Sequence, residues 1–427
     1  MIATIQIHIN GRWTNAGTFE PRQGEIAQGI AGSGYFEYAA EYVLDHMDNP
    51  AEYRAGLRYP INFELYDNDE WPPFLLDILP SGAGRRAWLR RLSLPDNEKA
   101  DWQLLLHGAG NPPGNLRVAE AVIPPAGPHP GFTKEEIVEK QADFIEYAEA
   151  RGAVVAGASD VAGDAPKFLL VRDRNRRWHP DGALEDRDIL DCWLVKFPRG
   201  KTEADRTVLR NEAPYYEVAR RFGIRTGQKL DFTHDALFIP RFDREANDGG
   251  LVRHGLESLT SAAGIAEYGR RGNHAVFCAV IAAFAGDVRA ELHEYLRRDI
   301  LSVALRNTDN HGRNSALIKY VGGAVMLSPL YDFAPMFLDP EGIPRSSRWE
   351  GELEPVIGRP CWGRIADMLQ PHLDPQETRS FLAGHAEAVA SLPDTMRECG
   401  VEDRVIDGVA RRCAEIAADL RDSGEKG

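Results

Sequence analysis

The stretch RNTDNHGRNSAL, residues 306–317, crowds carboxamides, an acid and an imidazole between two apolar segments. Before it, RRDILSVALR has the apolar spacing of a helix, and after it ALIKYVGGAVMLSPLYDF reads as two short strands around a Gly-Gly turn. The polar run is therefore a loop held between hydrophobic elements, the kind of place where chemistry concentrates. Asp309 and Asn314 stand five residues apart in it, and Asp332 follows eighteen residues later, just past an apolar strand.

Two acids and a carboxamide oxygen are hard ligands of the kind that hold Mg²⁺ against phosphate oxygens. In kinases a loop acid receives the substrate hydroxyl's proton, an Asn four or five residues on holds metal, and a second Asp at a strand end bridges metal to nucleotide. The spacing here repeats that plan. The competing reading is that Asp309, Asn310 and Asn314 only cap helix ends and turns, as short polar side chains do. A transition-metal site through His311 with Asp309 lacks a second nearby soft ligand.

Around this loop the chain of 427 residues is long enough for two or three domains, and 43% hydrophobic with 27% charged residues is ordinary for a globular protein with real cores. A formal charge of −15 opposes an overall attraction to nucleic acid, leaving GRRAWLRRL, residues 84–92, as one local basic patch. Five scattered cysteines without CxxC spacing give no disulfide framework and fit a reducing cytoplasm. The opening MIATIQIHINGRW alternates like a strand and lacks a signal-peptide pattern, and no stretch is apolar for a membrane-spanning length.

Composition shifts divide the chain at 1–125, 126–243 and 244–427. The first part is strand-rich, then helical, and ends in a Pro/Gly-dense run at 124–130. A Thr-x-x-Glu capping box at Thr133 then predicts a helix running up to Gly152. Strand signals follow in KFLLVRD, DCWLVKFP and HDALFIPRFDR, with a helix in NEAPYYEVARRFGI, and beyond residue 244 the chain turns mostly helical.

Further candidates lie in the middle part. Lys196 sits in an apolar strand, WLVKFP, where a charge needs an anionic partner such as phosphate or a helix glutamate. Glu212 fits that glutamate, or is simply an acid favoured near a helix start. The small-residue run at 152–171 offers Gly157 and Gly163 for backbone approach to phosphates, although it matches neither GxGxxG nor a P-loop and reads equally as a surface loop. In LFIPRFDR the strand emerges into a polar turn, where Asp243 could meet a ribose or could pair with Arg241 or Arg244 at the surface.

In this order WLVKFP, NEAPYYEVARRFGI, PRFDR, NTDNHGRN and LSPLYDFAP resemble the HipA family of serine/threonine kinases, the toxin halves of bacterial toxin-antitoxin pairs. PPFLLDILPSGAGRRAWL resembles that family's N-terminal subdomain, so the likeness runs across most of the chain. The resemblance implies an α+β, two-lobed protein-kinase-like fold: a strand-rich N-terminal part with an extra N-terminal subdomain, and a mostly helical C-terminal lobe. It implies Asp309 as catalytic acid/base, Asn314 and Asp332 as Mg²⁺ ligands, and Lys196 at the ATP phosphates, oriented by Glu212. It further implies adenine contacts from backbone near Arg241 and Phe242, with Asp243 at the ribose.

In the family a phosphate-loop serine silences the kinase when autophosphorylated, and Ser159 is the matching residue, although SDVAGDAPK carries an extra residue against the family's spacing. Lys167 follows the loop and either touches phosphate or is an exposed strand-start lysine. A protein substrate, such as an aminoacyl-tRNA synthetase or another translation component, is implied. So is a HipB-like helix-turn-helix antitoxin, and through it DNA. A small-molecule kinase of the aminoglycoside or choline type competes, but its usual HGDLHxxN setting differs from Arg306-Asn307-Thr308 before Asp309. A catalytically silent antitoxin-binding module is the other alternative.

Overall fold

The computed structural model describes the chain except Asn49, Pro125, Ala126, residues 156–166, Asp248, Ala324, Lys426 and Gly427. Two compact units form. One comprises residues 1–200, 231–270 and 318–325, the other 201–230, 271–317 and 326–427. The composition-based divisions at 125 and 243 do not coincide with these units, because the chain leaves the first unit after residue 200 and returns at 231.

The first unit opens with an antiparallel sheet in the order β4-β3-β2-β1-β5, from β1 (Ala3–Ile9), β2 (Arg12–Pro21), β3 (Gly34–Tyr38), β4 (Tyr66–Asn68) and β5 (Leu116–Val118). Ile9 pairs with Arg12, so Asn10-Gly11 is a two-residue turn, and φ of 50° and 78° at these residues give the twist a hairpin prefers. Ala3, Ile5 and Ile7 point inward, onto a core that includes Phe19, Phe36, Trp71, Phe74 and Trp102. The basic helix Gly82–Leu92 is largely neutralised at home: Arg85 pairs with Asp96 and Asp101, Arg90 with Glu149, and Arg91 donates to the Ala150 carbonyl.

A second sheet in this unit runs β10-β11-β9-β7-β6 with β8 on β7. Its strands are β6 (Val154–Val155), β7 (Lys167–Asp173), β8 (Trp178–Pro180), β9 (Ile189–Lys196), β10 (Asp231–Thr233) and β11 (Ala236–Pro240). The three expected strands are its centre. The Thr133 capping box forms, but the single helix expected up to Gly152 breaks into Lys134–Val138 and Ala142–Ala150. Lys140 takes a left-handed φ of 52° between them, and its ammonium lies 4.5 Å over the Phe197 ring in a cation–π contact.

The second unit is helical. Glu203–Arg221, His274–Phe284 and Val288–Ala304 precede the polar loop, and the closing helix Asp403–Glu425 packs on Val288–Ala304 and on Pro375–Gly384, Ala386–Ala390 and Leu392–Glu398. Strands Ala316–Lys319 and Val325–Leu327, which run into and out of the first unit's residues 318–325, flank the Gly322-Gly323 turn as expected, with both glycines at positive φ. The α+β class expected from the sequence is the one found. Among the described residues no helix is long and apolar enough to cross a membrane.

Candidate active site

The polar loop begins where the helix Val288–Ala304 stops. Arg306 adopts a left-handed φ of 54° and the Asn307 amide closes back on the Ser302 carbonyl at 2.9 Å, a tight C-terminal cap that turns the chain out of the helix. Gly312–Asn314 then make one 3₁₀ turn, with the Asn314 amide bonded to the His311 carbonyl at 2.9 Å. Asp309, Asn314 and Asp332 line one cleft within the second unit. The pattern read from sequence spacing is thus a spatial cluster.

Asn314 is fixed in a particular sense. Its Nδ2 donates to the Asp309 backbone carbonyl at 2.8 Å, and its buried Oδ1 has no hydrogen-bond partner among the described residues. A buried carboxamide oxygen left without a donor carries a cost of about 1–3 kcal/mol, which a cation in the cleft would relieve. The donor set of one such oxygen and two carboxylates fits a hard divalent ion. His311 Nε2 lies 3.4 Å from Asp309 Oδ1, so the imidazole stands beside the acid rather than forming a metal cluster of its own. Asn310 faces the other way, its Oδ1 accepting from the Ser346 and Ser347 amides and its Nδ2 donating to the Ser347 carbonyl, which staples the loop to residues 346–347.

Asp332 has a left-handed φ of 55°, a conformation that costs a non-glycine residue roughly 1–2 kcal/mol. The surroundings that impose it are ion pairs on Val288–Ala304. Glu291 accepts from the Leu327 amide at 2.8 Å and pairs with Arg225, whose guanidinium donates to the Leu327 carbonyl at 2.7 Å. Glu294 accepts from Arg298 and from the Arg225 amide, and Arg298 donates to the Ser328 carbonyl at 2.7 Å. The Leu330 amide donates to the Arg225 carbonyl at 2.8 Å, so the backbone is gripped at 327, 328 and 330, immediately before Asp332. Beneath it Tyr216 is fully buried, and burial, reinforced by the charges of Glu212 and Asp332, holds its hydroxyl protonated. Glu212 is itself buried, in the same unit as Asp332.

A second buried group lies under the loop. Asp299 accepts from Arg345 at 2.6 Å and from the Trp349 indole at 2.7 Å, while His274 bonds the Tyr295 hydroxyl at 2.7 Å. Burial pushes the His274 pKa down to about 4, so the ring is neutral near pH 7. None of these supports was read from the sequence, although Glu294 and Arg298 stand at the helical i,i+4 spacing that could have flagged one of them.

The first unit places the remaining candidates. Lys167 and Lys196 are directly opposite each other on β7 and β9 and both are buried. Opposed residues of an antiparallel pair share a face, so the two lysines emerge on the same side of the sheet. The exposed-lysine alternative for Lys167 is excluded. Gly157, Ser159 and Gly163 lie outside the described residues.

Arg241 and Asp243 are used differently from expectation. The Arg241 amide donates to the Cys192 carbonyl at 2.9 Å, so it is committed within the sheet rather than offered to adenine. Phe242 is half-buried beside it. Asp243 is only 4% exposed and accepts from the Arg241 and Arg244 guanidiniums and the Gly114 amide. Burial would raise its carboxyl, but Arg241 and Arg244 hold it far below the usual carboxylate range. With Asp181 on Arg241, this is a buried ion-pair quartet and not a ribose contact. The alternative reading is a surface pairing with Arg241 or Arg244; Asp243 pairs with both, and the pairing is buried.

Residues 16–119 match the HipA N-terminal domain and residues 159–395 match the HipA-like C-terminal domain. Among solved structures, the HipA of the Shewanella oneidensis MR-1 toxin-antitoxin complex with HipB and operator DNA superposes with a TM-score of 0.67 at 16% identity, over 99% of this chain and 97% of that one. The Helicobacter pylori proinflammatory kinase CtkA gives a TM-score of 0.37 at 10% identity, over 62% of this chain and 92% of its own. No curated protein matches.

Proposed function

The chain belongs to the HipA family, and from that premise we propose that it is a serine/threonine protein kinase using ATP with Mg²⁺. The observation that carries the proposal is the Asn314 carboxamide: tied to the Asp309 backbone through its nitrogen, it leaves a buried oxygen, without a partner among the described residues, in the cleft that Asp309 and Asp332 also line. Asn314 and Asp332 are the residues that would hold Mg²⁺. Bound there with ATP, the ion would supply charge neutralisation for phosphoryl transfer.

Asp309 orients the Ser or Thr hydroxyl and accepts its proton as the new oxygen–phosphorus bond forms and the bond to the ADP oxygen breaks. Lys167 and Lys196, two ammonium groups on one face, provide the phosphate-binding charge. The gripped backbone at 327–330 keeps Asp332 aimed without reorganisation, which is where an enzyme of this class gains most of its rate.

The target class suggested by the family is an aminoacyl-tRNA synthetase or another translation component. Self-phosphorylation of Ser159 would act as the off switch, and a helix-turn-helix antitoxin would neutralise the toxin and connect it to DNA, as HipB and operator DNA accompany HipA in the Shewanella complex. Transfer of labelled γ-phosphate to lysate proteins is expected from the wild type, and Asp309→Asn should lower it by about 10²–10⁴-fold. Full transfer by Asp309→Asn removes the assignment, label on amines or sugars favours the small-molecule reading, and peptide mass spectrometry of the same reactions reports on Ser159.

A further inference from the structure

Within the first unit a cleft of about 630 Å³ opens between the β1–β2 hairpin, β5, the helix end at Gly108 and the segment 181–187. That volume is in the range of small-molecule sites, roughly 300–1,000 Å³. Its walls include Trp13, Trp88, Asn111, Arg117, Arg151 and Arg253. In a chain of net charge −15, four arginines around one cavity, Arg187 among them, need an account of what balances them.

Among the described residues two of the four, Arg117 and Arg151, pair with no carboxylate. Arg253 does: both its terminal nitrogens bond the Asp186 carboxylate, at 2.6 and 2.7 Å. Asp181, also in the wall, is committed to Arg241 in the balanced quartet with Asp243 and Arg244. At the rim, exposed Arg187 lies 3.9 Å from Asp188, and Glu185 is exposed beside it. Arg151 donates to the carbonyls of Pro124 and Gly182.

Arg117 is the clearest case. Its Nε donates to Gln6 Oε1 at 2.7 Å, and Gln6 is held in turn by Asn15 at 2.7 Å, which fixes the stem of the side chain. The guanidinium lies 4.0 Å over the Trp13 ring, with that of Arg253 5.3 Å from the same ring. Among the described residues neither terminal nitrogen of Arg117 has a hydrogen-bond partner. Burial, and after it the charge of Arg253, pushes its pKa down to about 10, so an anion at this point would be welcomed by a partly desolvated cation. Its stem is fixed by hydrogen bonds and its terminal donors are unused, so the site needs little ordering on binding.

We propose that this cleft binds a small organic anion, its phosphate or carboxylate group taken by Arg117 with Arg151 nearby. The assignment is independent of phosphoryl transfer at Asp309. It is tested by calorimetric titration of the full chain with phenyl phosphate, benzoate and inorganic phosphate, the first two differing in the anionic group. Saturable binding of at least one organic anion is expected. Arg117→Met should weaken it by about 10–100-fold, the worth of a charge-assisted hydrogen bond, while Arg117→Lys retains most of it and Asp309→Asn leaves it unchanged. Ligand protection of Arg117 against phenylglyoxal, mapped by peptide mass, gives the same readout without a variant. No binding by the wild type, equal binding by Arg117→Met, loss in Asp309→Asn, or absence of protection at Arg117 would each overturn the proposal.

Discussion

Arg298→Met would release the grip on the strand that leads to Asp332. The side chain is 6% exposed, bonds Glu294 through two nitrogens at 2.9 and 2.8 Å, and donates to the Ser328 carbonyl at 2.7 Å. Removing one partner of a buried pair typically costs about 3–5 kcal/mol. Glu294 would keep bonds from Arg297 at 2.8 Å and the Arg225 amide at 2.9 Å, so the lower end, about 3 kcal/mol, applies. For a unit of this size that is a fall of about 6–12 °C in the unfolding midpoint. Because the freed Ser328 carbonyl lies upstream of a strained Asp332, the apparent Mg²⁺ requirement of phosphoryl transfer should also rise about tenfold, the usual scale for losing support behind a metal ligand. Differential scanning fluorimetry and a Mg²⁺ titration of γ-phosphate transfer read the two effects separately. A lower midpoint with an unchanged Mg²⁺ requirement would show that Arg298 stabilises the fold without aiming Asp332, and no change in either would refute the grip altogether.

Two other perturbations follow from buried charges. Asp243→Asn should destabilise the first unit by about 3–5 kcal/mol, since Arg241 and Arg244 would remain buried with one acid fewer, and it should leave the KM for ATP of the folded protein unchanged. A raised KM with an unchanged midpoint would instead restore the ribose contact. His274, held at about 4 against 6.5 by burial, binds its proton more readily unfolded than folded. Its contribution to stability is therefore present above pH 6.5 and lost as pH falls towards 4, on the order of 3 kcal/mol over that window. Chemical denaturation of His274→Gln between these pH values should give a shallower loss than the wild type, and an identical slope would exclude His274 as a source of the acid sensitivity.

What the sequence made legible shares one property: the residues concerned are near one another along the chain. The Thr133 capping box closes over three residues, and Asp309, Asn314 and Asp332 are brought together by a short polar loop and a strand pair. Lys196 stood out because a charge set in an apolar strand calls for an anion, and Lys167 because it follows the small-residue run; that the two are cross-strand neighbours came only from the fold. Lys140 escaped notice because nothing about a lysine announces a left-handed residue, and only the Phe197 ring from a distant strand end rewards that break.

The misread positions have the opposite property. Arg241 meets Asp181 across 60 residues and Asp243 meets Gly114 across 129, so local sequence offered two flanking arginines without the burial that turns them into a quartet. Arg225 reaches Leu327 across 102 residues, which is why the support for Asp332 was invisible while Asp332 itself was not. The division has a physical basis. Residues that would touch substrate are confined to a few loop positions whose spacing the chemistry constrains, whereas the charges that hold them can come from anywhere the fold allows. Arg298 is therefore a sharper test of the site than another substitution at Asp309: losing Asp309 would show only that an acid is needed, while a shift in Mg²⁺ requirement at Arg298 would show that the fold has aimed Asp332.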